Sequence, residues 1–121
     1  MTLIDEAPLE LAIAIREFWP ESEWDHAAAI AREESGWDAF ALNDSTDAAH
    51  PCGTIVRHQA GVAISAERSV GYFQINSCNY PDWEWGRLYN ARHNAGTAHE
   101  LWARRGWSPW HFSASTLGLL T

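Results

Sequence analysis

The chain has 121 residues, 46% of them hydrophobic and 20% charged, which is long enough for one core without obligatory disulfides and too apolar for a disordered segment. Sixteen acidic residues against eight basic ones, all arginine, give a formal net charge of -8. That balance leaves no basic patch to neutralise a nucleic-acid backbone or an anionic lipid surface, so neither nucleic acid nor membrane is expected as a partner.

Along the chain, the opening MTLIDEAPLE lacks the charged-then-apolar pattern of a secretory signal, and no apolar run approaches the length of a membrane span. The segment APLELAIAIREFW, residues 7 to 19, places apolar residues at 9, 11, 13, 15, 18 and 19 and predicts a helix that ends before Pro20. A second helix is predicted to open at SEWD, with Ser22 as its cap and Asp25 completing a capping-box-like pair. Its apolar face runs through Trp24, Ala27, Ala28 and Ala31, and the next position on that face is Glu34. Glu33 falls on an adjacent, wetter side. A carboxyl on an apolar stripe must be paired or must hold its proton to a higher pH, which is what a general acid requires. Two solvated acids at a helix end would be the bland alternative, although the helix dipole disfavours anions there.

Residues 43 to 68 show no sustained period and are expected to form a long loop with a short strand or turn at 54 to 56. The run RSVGYFQINSCNYPDWEWG, with Gly71 among aromatic and β-branched residues, predicts a short strand or hairpin bounded by Pro81. A third helix is expected over GRLYNARHNAGTAHELWARRG, with Leu88, Ala91, Ala95, Ala98 and Trp102 on one face and Gly106 as its stop. Ser108 and Pro109 then start a last short helix. The eight tryptophans exceed what a core of this size needs; Trp19, Trp24, Trp37 and Trp102 fit core positions, and the others are free to stack on flat sugar faces.

Taken in order, EESGW, SVGYFQINS and NARHNAGTAHELWARRGWSPW resemble the lysozyme superfamily, closest to the soluble lytic transglycosylase and goose-type lysozyme branch found in phage lytic and virion enzymes. The resemblance covers roughly residues 24 to 112. It implies a mainly α, α+β lysozyme-like fold, a single catalytic domain over residues 1–121 with a small β-hairpin or loop region flanking a cleft. It further implies cleavage of the β-1,4 bond between N-acetylmuramic acid and N-acetylglucosamine in bacterial peptidoglycan, at the cell wall, by a monomer needing no cofactor. Glu34 takes the place of the catalytic acid, and Gly71, Gln74, Ile75 and Asn76 take the places of the Gly-x-x-Gln-Ile-Asn cleft segment. Gln74, Asn76 and Asn90 or Asn94 would then bond N-acetyl and hydroxyl groups, each asparagine having a backbone-bonding role as its alternative. Tyr72, Tyr80, Trp83 and Trp85 are candidates for stacking.

Two departures bear on mechanism. Where chicken-type lysozymes carry an Asp two residues before the Gly, this chain has Ser69, expected in the cleft as a substrate contact but unable to act as a carboxylate. The open routes are water held by Asp44 or Asp47, assistance by the substrate's N-acetyl group, or attack by the muramyl 6-hydroxyl to leave a 1,6-anhydro sugar. The late Ala-Tyr-Asn-Ala-Gly motif of many transglycosylases is also absent, with HNAG at 93 to 96 a similar but earlier sequence.

Cys52 and Cys78 are expected first as free thiols, next as a disulfide tying the loop to the cleft, and last, with His50 and His58, as zinc ligands; no metal site is assigned. His26, His93, His99 and His111 form no readable constellation. Two other classes stay open: a non-catalytic peptidoglycan- or chitin-type sugar-binding module, and a structural virion part. An acidic chain would gain little from electrostatic attraction to an anionic wall, so binding would rest on stacking and hydrogen bonds.

Overall fold

A computed structural model describes residues 2–120, an α+β arrangement of helices around a small antiparallel sheet. The expected first helix is α2 (Leu9–Phe18), with Pro8 at its N-cap, and a short helix that was not predicted, α1 (Leu3–Glu6), precedes it. Leu11, Ala12, Ala14 and Ile15 bury the inner face of α2. The next helix, α3 (Trp24–Ser35), starts later than predicted, after a 3-10 turn at Glu21–Glu23. Ser22 makes no capping bond. Asp25 instead accepts the Ile4 N–H at 2.9 Å, so a tertiary contact that holds α1 against α3 replaces the local capping box.

The predicted long loop contains a hairpin and is bounded by two further strands. Strand β1 (Leu42–Asp44) pairs antiparallel with β4 (Arg68–Val70), which pairs in turn with β5 (Ile75–Asn76). Between β1 and β4 stands a separate hairpin, β2 (Ile55–Gln59) and β3 (Val62–Ser65). Every residue of β2 is exposed, so the strand lacks the in-out alternation that would reveal it. Its turn is Ala60-Gly61, both at positive φ (51° and 80°), the geometry of a type I′ turn without the usual asparagine.

The last long helix, α4 (Ala91–Arg105), starts at its Asn90 cap and ends at Gly106; residues 86 to 89, expected to open it, belong instead to 3-10 turns over Asp82–Tyr89. A tight turn at Ser108–Trp110 leads into α5 (His111–Thr116). The core joins α2, α3 and α4 to Val70, Phe73 and Ile75 of the sheet region. Trp19 stacks on Phe73 (5.4 Å between centroids) and on Trp107 (6.1 Å), and Trp107 continues to Trp110 (5.6 Å). Among the described residues no helix is long and apolar enough to cross a membrane.

Candidate active site

A groove of about 580 Å³ separates the helical side of the molecule from the β side. Pairing in the sheet explains its polar wall: Asn43 stands opposite Ser69, and Ser69 opposite Asn76, so three polar side chains form one row across three strands. The next row, Val70 and Ile75, turns the other way into the core. Glu67 lies two residues before Ser69 and lines the same wall. The Ser69 hydroxyl donates to Glu67 Oε1 at 3.0 Å, and the Glu67 backbone is bonded in both directions to Ser45. The exposed hairpin supplies Arg57, Val62 and Ile64; the helical side supplies Glu34, Arg105 and the segment from Ser108 to Phe112.

Glu34 is half-buried on α3 while its neighbour Glu33 is exposed. Ser113 of α5, buried itself, donates to Glu34 Oε2 at 2.7 Å. Burial pushes the Glu34 carboxyl above its ordinary range; the Ser113 bond works against that, and the negative charges of Glu67 and Glu33 add to it. The groove therefore brings together a carboxyl biased toward its protonated form and a second carboxylate oriented by a serine.

The remaining predicted site residues divide into two groups. Ser69, Gln74 and Asn76 line the groove, as does Tyr80. The amide of Gln74 is already engaged: Nε2 donates to the carbonyls of Ala41 and Gly71, and Oε1 accepts from Asn43, while its backbone adopts φ +50°. Asn76 accepts the Cys78 N–H through Oδ1. Tyr72, Asn90, Asn94, Trp83 and Trp85 lie outside the groove lining, and for Asn90 and Asn94 the structure shows the backbone-bonding alternative. Tyr72 is buried with its hydroxyl donating to Glu10 at 2.6 Å. Asn90 caps α4 by accepting the His93 N–H. Asn94 is fully buried, accepting from Phe73 N and donating to the carbonyls of Val70 and Leu88. Trp83 is 64% exposed beside Arg87, and Trp85 donates to the Ser77 carbonyl beneath Arg68. Asp44, the last residue of β1, accepts from Thr46, and Asp47 accepts from His50; neither lines the main groove.

The free-thiol expectation is also corrected: Cys52 and Cys78 form a disulfide with 2.07 Å between sulfurs. Among the described residues no group of three or more His, Cys, Asp or Glu side chains could hold a metal ion. Compared with protein-family models, curated proteins and solved structures, the chain matches none.

Proposed function

We propose that the protein is a peptidoglycan-cleaving muramidase on a lysozyme-like fold, with Glu34 as general acid and Glu67 as the second carboxylate. The observation that carries this reading is the pairing in one groove of a carboxyl kept toward its protonated form by burial with a serine-held carboxylate. Glu34 would donate its proton to the glycosidic oxygen as the bond to the muramyl C1 lengthens and positive charge develops on the sugar ring. Glu67 would stabilise that charge and take a proton from the water that adds at C1, which restores a reducing end. Glu67 thus fills the role left vacant by Ser69, and Ser69 becomes the residue that orients it. The substrate would be glycan strands of the bacterial cell wall, and the Cys52–Cys78 disulfide suits an oxidising compartment such as the cell surface.

The test is mass spectrometry of fragments released from purified peptidoglycan by the wild type, Glu34→Gln and Glu67→Gln. Reducing muropeptides from the wild type, with release falling about 10²- to 10⁴-fold in Glu34→Gln, are expected. Glu67→Gln should also lose most of its turnover. Products one water lighter would replace Glu67 by the muramyl 6-hydroxyl and make the enzyme a transglycosylase. Retained binding without release from any of the three would make it a sugar-binding module.

A further inference from the structure

Six of the eight arginines have partners. Arg16 pairs with Asp5 and Arg92 with Glu17; Arg32, Arg68 and Arg87 lie over tryptophan rings; Arg104 donates to the Glu100 carbonyl. The guanidinium groups of Arg57 and Arg105 make no hydrogen bond, ion pair or ring contact among the described residues, and both residues line the groove. They reach it from different walls, Arg57 on the β2–β3 hairpin and Arg105 at the end of α4. The groove thus holds two glutamates and two arginines, in a chain whose acids outnumber its arginines two to one. An exposed guanidinium with no protein partner, repeated on both walls of a groove, is a site for an anionic ligand group.

We infer that Arg57 and Arg105 bind carboxylates carried by the glycan, so that the groove selects acidic strands over neutral ones. This rests on the muramidase reading and assigns two residues of the groove to recognising the carboxylates of its substrate, carried on the lactyl ether or on the peptide attached to it. A neutral N-acetylglucosamine polymer has the same backbone and N-acetyl groups but nothing for the arginines to hold.

Binding is measured by calorimetry in the Glu34→Gln protein, which keeps the strand intact. Three length-matched probes are compared: neutral N-acetylglucosamine oligomers, glycan strands stripped of peptide, and strands with their peptides. The expected result is tighter binding of the acidic strands, weakened about threefold by Arg57→Gln or Arg105→Gln and about tenfold by both, with neutral oligomers unaffected. The preference should also fade at high salt. Both side chains are exposed, so the variants should keep the wild-type circular dichroism and melting temperature. If stripped and peptide-bearing strands bind alike, the lactyl carboxylate is the recognised group; a preference confined to peptide-bearing strands assigns it to the peptide. Equal affinity for neutral and acidic strands, a preference that survives in the double variant, or no binding at all would overturn the inference. The muramidase reading fails separately, if the wild type releases no fragments while the arginine-dependent preference persists.

Discussion

At the scale of single residues, Glu34 couples chemistry to stability. The folded protein holds its proton more tightly than the unfolded chain does, chiefly because the carboxyl is buried. Its contribution to stability is therefore full below the ordinary glutamate value of 4.5 and is lost as pH rises through the raised one. Glutamine at this position cannot ionise and can still accept from Ser113. Glu34→Gln should accordingly melt above the wild type at pH 7, with the gap closing near pH 4; a lower melting temperature at pH 7 would mean that the ionised carboxylate is well accommodated. Placement of Glu34 toward the groove and Glu33 toward solvent was legible, because α3 keeps its apolar face in register from Ala27 through Ala31 to the helix end. Glu67 was not, since it belongs to no motif. It could have been reached from Ser69 by the two-residue period of a strand, but the predicted strand began at Arg68 and left Glu67 in the expected loop. Ser113 gave no signal, because a serine on a short helix is indistinguishable in sequence from a solvated one.

At the scale of elements, Asn94 fastens α4 to the turn between β4 and β5. Its three hydrogen bonds close over Gly71, which sits at φ +78° and where a Cβ would collide with Asn94 Nδ2 and the Leu88 carbonyl. Asn94→Ala would strand several buried backbone groups and should cost roughly 2–4 kcal/mol, read by denaturant titration. Asn90→Ala removes one cap at an exposed position and should cost only about 1 kcal/mol. Equal losses would contradict the assignment of Asn94 as the fastener. The helical periods were readable because each helix buries one face, whereas the β2–β3 ribbon was read as a loop because it buries neither. The start of α4 was misplaced for a local reason: residues 86 to 90 continue its apolar spacing, yet Asn90 caps the helix there. Asn94 itself looked like a sugar contact because both roles ask for a polar amide near the Gln-Ile-Asn segment.

At the scale of the whole molecule, the disulfide loop encloses most of the β side of the groove, Asn43 of β1 excepted. From Arg57 to Asn76, the hairpin, Glu67, Ser69 and Gln74 all lie between Cys52 and Cys78, a sequence separation of 26. Closing a loop of that length stabilises the fold by about 3 kcal/mol in the chain-entropy model. Replacing both cysteines by serine should lower stability by that order and lower turnover at temperatures well below the melting point; unchanged turnover would show that the sheet alone holds the wall. Sequence could not choose between thiols and bridge, because the choice depends on a hairpin that brings the two Cα atoms to 5.7 Å. The tryptophans offer a consequence of another kind. Trp110 is the one tryptophan in the groove lining among the described residues, and it ends the series that runs through Trp107 to Trp19, with its indole N–H donating to the Phe73 carbonyl. Indoles at these separations exchange excitation energy. A strand entering the groove should therefore alter the intrinsic emission of several buried tryptophans at once, and Trp110→Phe should silence that response, giving the molecule an unlabelled optical readout of its own occupancy.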